Sequence, residues 1–449
     1  MSSESETEKN EQLNPTQDPD MDGGYGWIIV FSAFLLTFST WGLNSAYAVY
    51  FAYYLNSDHF AGATVLDYAA VGGISVGVGM MFAPLVNYLQ GLIGTRQIML
   101  LGNCFQFAAA ILASFSVNIW QLYLTQGLLQ SIGLALISLP AMTLVSQWFV
   151  KRRVLANSLS VTGSGVGGVV FNLGLQRIIE VKNVNWALRA QGIISAVLVL
   201  VAILLVKTRT EHHKVEFTLY DVEVLSCTAF WLFILYLVTC MLGYVIVLYS
   251  LADFTTSLGY SSYQGSIVAA MVQVGFCVGR PLAGFLADYV GPYTVTTVAY
   301  YFAAIFSLAM WVPTKNYATA IALALLEGIF LGTVFPTCAS MIARMVGMAK
   351  LNVTFCMSWI AFGLAGLFSQ LIGSALTSGT GSSQYKDTAI FAGVCFFACA
   401  TTALLLRGYI ISRDHILTQN FNPDLHMIQV RVPPLDVFKN CLTWPKMRA

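Results

Sequence analysis

Long apolar runs, separated by short polar or charged stretches, follow one another from residue 26 to residue 406. A helix needs about 20 consecutive, mainly apolar residues to cross a bilayer. Twelve such runs can be drawn, six between residues 26 and 206 and six between residues 225 and 406. The pattern predicts an all-α polytopic membrane protein with 12 transmembrane helices, arranged as two halves of six.

Polar stretches divide the chain into five parts. Residues 1–21 are polar and acidic, residues 207–224 form a charged linker, and residues 411–449 form a polar tail. The two six-helix halves are therefore predicted at residues 22–206 and 225–410. We expect a disordered cytoplasmic segment at residues 1–21, and we also expect the linker and the tail at residues 411–449 to be cytoplasmic.

The composition supports a membrane protein and argues against other classes. Hydrophobic residues make up 57% of the chain and charged residues only 10%, with a mean hydropathy of +0.71. Soluble domains are about 25% charged. No basic segment precedes a short apolar run at the start, so no cleaved signal peptide is evident. A net charge of +1 does not suggest a nucleic-acid partner.

The basic residues indicate how the chain is oriented. Sixteen Lys and Arg residues fall in the loops and tails on the side of the N-terminus, and five fall in the opposite loops. Positively charged loops stay in the cytoplasm, so both termini are predicted to be cytoplasmic. We expect the plasma membrane, with the vacuolar or another internal membrane as the alternative.

The cysteines and histidines do not suggest an enzyme or a metal site. Eight of the nine cysteines lie in or at the edges of apolar runs, and no Cys/His group has the spacing of metal ligands. The five histidines fall in predicted loops or tails. We therefore expect no cofactor and no metal, and we interpret the cysteines as small packing residues.

The two halves are related by an internal repeat. Pro84 and Pro281 coincide at an offset of 197 residues, and so do Gly94 and Gly291. The second apolar run therefore repeats as the eighth. Two six-helix halves related as parallel repeats are typical of transporters with a solute site near the bilayer midplane.

Arg280 lies in the middle of the eighth apolar run. It precedes Gly291 by 11 residues, which is about 16 Å along a helix and near the midplane of a core about 30 Å thick. Intramembrane charges usually face a cavity or a partner and mark a functional site. The repeat counterpart of Arg280 is Ala83, which favours a solute-binding role. The alternative is a structural ion pair.

Glu327 is a second ionisable residue in the middle of an apolar run. It follows Tyr317 by ten residues, about 15 Å along a helix. We expect Glu327 and Arg280 to face the same cavity, where a solute anion on Arg280 would favour proton binding by Glu327. Glu327 is thus a candidate for proton coupling, and a structural pair with Arg280 is the alternative.

Two pairs of glycines are spaced for close contact between helices. Gly73 and Gly77 are four residues apart, and so are Gly163 and Gly167. Small residues at this spacing allow helix backbones to approach each other closely in a membrane. We predict helix contacts at both pairs.

Three motifs carry a resemblance to a known family. Residues 284–291 read GFLADYVG, residues 22–27 read DGGYGW, and residues 148–157 read WFVKRRVLAN. The first resembles a loop motif of the major facilitator superfamily, although it lacks the usual arginine after the aspartate. The other two resemble the signatures of the monocarboxylate transporter family, in its fungal branch. The resemblance implies a major facilitator fold and assigns gating or signature roles to Asp22, Gly23, Gly24, Trp27, Arg152, Arg153, Gly284, Asp288 and Gly291.

The resemblance also implies a binding site. In proton-coupled members, an arginine before a proline in the eighth helix binds the substrate carboxylate, and Arg280 occupies that position. An aspartate four residues earlier and a lysine in the first helix accompany it in the family, but Phe276 and Ser45 stand here. Lactate–proton symport therefore does not carry over directly. We expect Phe276 beside Arg280, and Asn44, Ser45 and Tyr47 on the opposite wall.

These observations predict a secondary or facilitative transporter of a small organic solute, foremost a carboxylate anion, with proton coupling as an option. One alternative is a facilitative carrier of a larger aromatic or vitamin-like solute. An alternative of a different class is a nutrient sensor without transport. The expected partners are the solute and the lipid bilayer, and the sequence identifies no accessory membrane protein.

Overall fold

The structure is a computed structural model that describes residues 23–57, 60, 62–149, 152–208, 220–347, 350–378, 383–419 and 432–441. In this part of the chain, eleven helices are long and apolar enough to cross a membrane, and a bent pair of helices makes a twelfth. The prediction of 12 transmembrane helices is confirmed. They are α1 Gly26–Ser57, α2 Val65–Met81 continued by Ala83–Ile93, α3 Thr95–Ala113, α4 Ile119–Val145, α5 Arg153–Val181, α6 Val184–Leu205, α7 Thr228–Ser257, α8 Ser262–Val290, α9 Pro292–Trp311, α10 Tyr317–Val346, α11 Leu351–Ala375 and α12 Lys386–Thr418.

We call the end of the bundle where α1 begins the inner end, and the opposite end the outer end. Within each half the connections between neighbouring helices are short, so successive helices run in opposite directions. The N-terminal half contains α1–α6 and the C-terminal half contains α7–α12.

The internal repeat is visible in the backbone. Gly94 and Gly291 both have a φ of 96°, with ψ of 159° and 146°. Gly62 and Gly259, at the same offset of 197 residues, have φ of 76° and 92°. Such positive φ angles favour glycine. The same turns therefore recur at both ends of α2 and α8.

The helix starts repeat as well. Thr64 and Asp67 form a capping box before α2, and Ser261 and Gln264 form one before α8. A capping box satisfies backbone N–H groups that the first turn leaves free. The predicted pseudo-symmetric halves thus share their local capping chemistry.

Helix α2 bends where its counterpart stays continuous. Its two parts meet at 53° around Phe82, just before Pro84. Proline cannot donate the backbone hydrogen bond to the preceding turn, which weakens the helix there. Pro281 instead lies inside the unbroken helix α8. The two halves therefore differ here, because α2 is bent whereas α8, which carries Arg280, is continuous.

Glycines on α2 bring the two halves together, as predicted. A Cβ placed on Gly77 would lie 2.7 Å from the backbone nitrogen of Leu367 in α11, and one on Gly73 would lie 3.1 Å from the Leu367 carbonyl carbon. Real Cβ atoms almost never approach within 3.0 Å of other atoms. A larger residue at Gly77 would therefore push α11 away.

The second predicted pair, on α5, packs within the N-terminal half. A Cβ on Gly163 would lie 2.7 Å from Thr37 Oγ1, and one on Gly167 would lie 3.0 Å from the Phe38 carbonyl carbon. Both neighbours belong to α1. The close contact between α5 and α1 fixes the position of α1 beside the centre of the molecule.

The C-terminal tail is partly built into the fold. Helix α12 continues to Thr418, beyond the boundary at residue 410 that the apolar pattern suggested, and a short helix spans Pro434–Asn440. The short helix packs on α12 at Gly408, where a Cβ would lie 2.7 Å from Cys441 Sγ. Arg407 donates to the Cys441 carbonyl and, at 2.9 Å, to Thr294 Oγ1.

The end of the linker is also held in place. Lys350, which precedes α11, pairs with Asp221 at 2.9 Å and with Glu223. Asp221 caps the short helix Val222–Leu225 by accepting from backbone N–H groups. This part of the linker is therefore tied to the C-terminal half.

Candidate functional site

A small cavity lies between the two halves, near the middle of the bundle. Its volume is about 10 Å³, which is space for about one water molecule. Both halves contribute to its wall, and in this conformation it is too small for an organic solute. The lining residues are Trp41, Asn44, Ser45, Val76, Ser164, Tyr244, Val245, Leu248, Tyr249, Gln273 and Phe276.

An irregular stretch of α1 positions its contribution to the wall. Residues Phe38–Gly42 form a π-helical turn, and Trp41 lies in it. A π-helical turn shifts the helix face that follows and often marks a functional site. Asn44 and Ser45 come directly after the turn and face the cavity.

Arg280 is deeply buried, with 2% of its surface exposed. Its guanidinium donates to the Val161 carbonyl at 2.7 Å and to Ser164 Oγ, both on α5 of the other half. It also lies over the rings of Phe276, at 4.4 Å from the centroid, and Phe335, at 5.6 Å. Among the described residues, no Asp or Glu forms an ion pair with it. A fixed cation therefore faces neutral partners only.

Four N–H donors at this site have no hydrogen-bond partner in the described structure. Three belong to cavity-lining residues, namely Trp41 Nε1, Asn44 Nδ2 and Gln273 Nε2, and the fourth is Arg280 Nε. A buried donor without a partner costs about 1–3 kcal/mol. Indole and guanidinium groups can only donate. The site is therefore suited to a solute rich in hydrogen-bond acceptors.

The predicted wall residues on α1 take different positions. Asn44 Oδ1 accepts from Tyr249 OH at 2.6 Å, which joins α1 to α7 across the two halves. Ser45 lines the cavity and donates to the Gly42 carbonyl at 2.6 Å. Tyr47 lies nearer the outer end, outside the cavity wall, and donates to the Tyr68 carbonyl at 2.6 Å. Its ring packs on Tyr249 of α7, with centroids 5.3 Å apart, and it is not among the residues that line the cavity.

Phe276 lies beside Arg280, as expected, and it lines the cavity. Its ring stacks on Tyr244 of α7, with centroids 5.8 Å apart and an interplanar angle of 8°. The hydroxyl of Tyr244 also lies within hydrogen-bond reach of Arg280. The stacked rings of Phe276 and Tyr244 therefore form an apolar surface beside the guanidinium.

Several lining residues were not predicted from the sequence. Tyr244 and Tyr249 lie in the long apolar helix α7, and the sequence does not reveal which face of this helix points to the cavity. Gln273 could have been found, because it precedes Arg280 by seven residues and two helical turns return to the same face.

Glu327 does not share the cavity with Arg280, contrary to our expectation. It is fully buried, and its Oε1 accepts from Ser307 Oγ of α9 at 2.6 Å. The α10 residue beside Arg280 is Gly332, where a Cβ would lie 3.3 Å from Arg280 Nε. Glu327 precedes Gly332 by five residues, which turns it about 140° around the helix. Its side chain therefore points to α9.

A second buried carboxylate, Asp253, lies at the outer end of α7. It is 8% exposed and accepts from Tyr385 OH and, at 3.2 Å, from Thr256 Oγ1. The amide of Asn56, at the outer end of α1, also lies within hydrogen-bond reach. The apolar pattern did not mark Asp253, because the predicted run ended one residue earlier.

The signature residues of the N-terminal half lie at its inner end. Asp22 is outside the described residues, and Gly23 and Gly24 form the turn that leads into α1. The ring of Trp27 packs edge-on against Phe149, with centroids 5.1 Å apart. The second signature segment lies beside it, since Arg153 Nε donates to the Phe149 carbonyl at 3.1 Å and Arg152 is exposed.

The signature residues of the C-terminal half lie at the inner end of α8. A Cβ on Gly284 would lie 2.7 Å from Ser158 Cβ of α5, so Gly284 lets the two halves touch there. Asp288 is half-buried one turn further along, and Gly291 forms the positive-φ turn that ends the helix. This arrangement is compatible with a gating role for the segment, which remains a prediction.

The sequence model of the Major Facilitator Superfamily matches residues 29–369 and 232–414. Two proteins of Saccharomyces cerevisiae are similar to this chain. "Probable transporter MCH2" is 46% identical over 430 residues, which cover 94% of this chain and 90% of that protein. "Uncharacterized transporter ESBP6" is 34% identical over 407 residues, which cover 87% of this chain and 60% of that protein.

Matches at lower identity are also to proteins named as transporters. "MFS transporter asaE" of Aspergillus flavus is 26% identical over 416 residues, covering 90% of this chain and 92% of that protein. The crystal structure of a D-xylose–proton symporter superimposes with a TM-score of 0.67 at 15% identity, covering 85% of this chain and 97% of that chain. At this identity the structural match establishes the fold alone.

Proposed function

Since this chain belongs to the major facilitator superfamily and is a multi-pass membrane transporter rather than an enzyme, we propose that it carries a small organic anion, foremost a carboxylate. Transport would proceed by alternating access, as the two halves separate first at one end and then at the other. We further propose, from the distribution of Lys and Arg, that both termini face the cytoplasm. The plasma membrane remains the proposed location.

The buried guanidinium of Arg280 is the observation that carries this proposal. It has no carboxylate partner among the described residues, and its Nε lacks any hydrogen-bond partner. Arginine stays charged in a membrane and binds carboxylates through two parallel hydrogen bonds. A solute carboxylate would supply the missing charge and the missing acceptor together.

The same contacts suggest how binding and movement are linked. In this conformation, Arg280 of α8 donates to Val161 and Ser164 of α5, so one side chain bridges the two halves. Separation of α5 and α8 would break these bonds and free the guanidinium for a solute. A bound carboxylate would then take over the donors, and the halves would close around it.

Arg280→Ala tests the anchor. Reconstituted vesicles with an imposed pH gradient should take up labelled short carboxylates, and protein-free vesicles measure passive permeation. We expect Arg280→Ala to lower the protein-dependent uptake at least about tenfold, because a charge-assisted pair is lost in a low-dielectric site. Arg177→Ala is the matched control, since the side chain of Arg177 is 71% exposed and, among the described residues, its one ion pair is with Glu180. Equal uptake by the Arg280 and Arg177 variants would contradict the proposal.

Glu327 remains our candidate for proton coupling. Its carboxyl group is fully buried, its Oε2 has no hydrogen-bond partner among the described residues, and Ser307 is its contact. A charged carboxylate is costly in such a place, so its protonation would respond to any movement of α9 against α10. Because Glu327 does not touch Arg280, the coupling we propose acts through this helix contact.

Glu327→Gln tests the coupling. The amide is similar in shape but cannot take up a proton, so we expect uptake that no longer responds to the pH gradient while exchange of solute continues. Full retention of the gradient dependence would remove Glu327 from the mechanism.

A larger aromatic solute is the second candidate. Trp41, Tyr244, Phe276 and Phe335 bring four rings to the site, and Trp41 packs on Phe335 with centroids 5.3 Å apart. Rings favour flat solutes through stacking. Uptake of aromatic solutes beside short carboxylates in the same vesicles separates the two candidates. Any protein-dependent flux argues against a sensor without transport.

A further inference from the structure

The donors at the site form two groups at different depths. Gln273 and Arg280 are seven residues apart on α8, so they share a face about 10 Å apart along the helix axis. Phe276 lies between them on that face, and its ring stacks on Tyr244. The apolar ring of Phe276 therefore lies between the two donor residues along the helix.

The group nearer the outer end, which we call the upper group, is neutral and is built from both halves. Trp41 and Asn44 come from α1 and Gln273 comes from α8. All three line the same cavity, and each has an N–H without a partner among the described residues. Among its lining residues, this cavity has no ionisable acid or base apart from tyrosine. The group is thus suited to a neutral oxygen, such as that of a hydroxyl or a carbonyl.

We propose that the transported acid carries a neutral hydrogen-bond acceptor across an apolar spacer from its carboxylate. Arg280 holds the carboxylate, Phe276 packs on the spacer, and Gln273, Asn44 and Trp41 bind the distal oxygen. This inference rests on the proposed function and narrows its substrate class. A simple alkanoate would leave the three upper donors buried and unpaired after closure, so it should bind less tightly than an acid that carries the distal oxygen.

Paired ligands test the substrate class directly. Butanoate and hexanoate are compared with their terminal hydroxy derivatives by calorimetric titration of the purified full-length protein at a pH where all are ionised. We expect the hydroxy acid of fitting length to bind about 3- to 10-fold more tightly than its parent, the gain from one net hydrogen bond. Arg280→Ala should weaken binding of both members of each pair.

Gln273→Met tests the proposed contact with an unbranched side chain of similar length. We expect the preference for the hydroxy acid to be lost in this variant, so that it binds the hydroxy acid and the parent acid about equally. Gln176→Met is the matched control, because Gln176 lies on α5 and donates to Glu180 at 3.0 Å, away from the cavity. The control should keep the preference of the unmodified protein.

The outcomes separate the two levels of the argument. If the acids bind but no hydroxy derivative is preferred at either length, the two-group site is wrong and the anion proposal stands. If the preference exists but survives Gln273→Met, the assignment of the upper group is wrong. If no acid binds and none is taken up into vesicles, the proposed function and this inference both fall. Should Gln273→Met not fold, the comparison of ligands on the unmodified protein still decides.

Discussion

Gly284→Ala should open the inner end of the transporter. A Cβ at this position would lie 2.7 Å from Ser158 Cβ, while ordinary contact begins at 3.4 Å. Because Ser158 Oγ would lie closer still, helices α5 and α8, which belong to different halves, would have to separate by at least about 0.7 Å. Overpacking of this kind costs about 1–3 kcal/mol, which shifts a two-state equilibrium about 5- to 150-fold.

The matched rescue is the double variant Gly284→Ala with Ser158→Gly. Removing the Ser158 side chain leaves the Val154 carbonyl oxygen as the nearest neighbour of the new Cβ, at 3.2 Å. The helices then need to move by only a few tenths of an ångström. Ser158→Gly alone controls for the cost of glycine in a helix, about 1 kcal/mol.

Two measurements report the effect. Spin labels at the inner ends of α5 and α8 should show a larger fraction of the separated state in Gly284→Ala, and the initial rate of solute uptake should fall about tenfold. Both should return towards the value of Ser158→Gly in the double variant. The packing argument fails if the single variant keeps the original distance distribution, or if the double variant recovers neither quantity.

Two further predictions concern other contacts. Tyr249→Phe removes the hydroxyl that donates to Asn44 across the halves at 2.6 Å, so we expect the outer side to open about 3- to 10-fold more often. A cysteine at Leu248 should then be labelled faster, and an unchanged rate would contradict this. The second prediction concerns Asp221. Burial alone would raise its pKa, but hydrogen bonds from Lys350 and from backbone N–H groups hold this pKa below the usual value of 3.8. Its stabilisation is therefore present above pH 3.8 and lost as the pH falls through the lowered pKa. The difference in thermal midpoint between the unmodified protein and Lys350→Met should shrink as the pH falls through the lowered pKa of Asp221. A constant difference would count against the pairing of Lys350 with Asp221.

The fold could be predicted because membrane constraints act on local sequence. Every backbone group in the bilayer must be satisfied within a helix, so run length alone predicted α1–α12. The glycine pair at Gly73 and Gly77 predicted a close helix contact, since no other residue allows that approach. The offset between Pro84 and Pro281 predicted the repeat, which the recurring turns confirm.

The site could be predicted only in part, because an apolar run does not show which face of its helix points to the site. Arg280 was found from its charge and depth. Glu327 has a similar depth, but its place on α10 relative to Gly332 turns it to α9. Trp41 was missed because a π-helical turn changes the face that α1 presents. These local irregularities depend on contacts between helices.

If Arg280 binds the solute as proposed, the solute becomes a part of the gate. Without solute, the guanidinium is stabilised by Val161 and Ser164 of the opposite half, so closure provides the partners that burial requires. With a carboxylate bound, the solute provides them and neutralises the charge as well. Because a buried charge is far costlier than a buried neutral pair, the loaded protein should close more readily than the empty one. A cation on one half and acceptors on the other can thus favour the exchange of one solute for another over a change of conformation without bound solute.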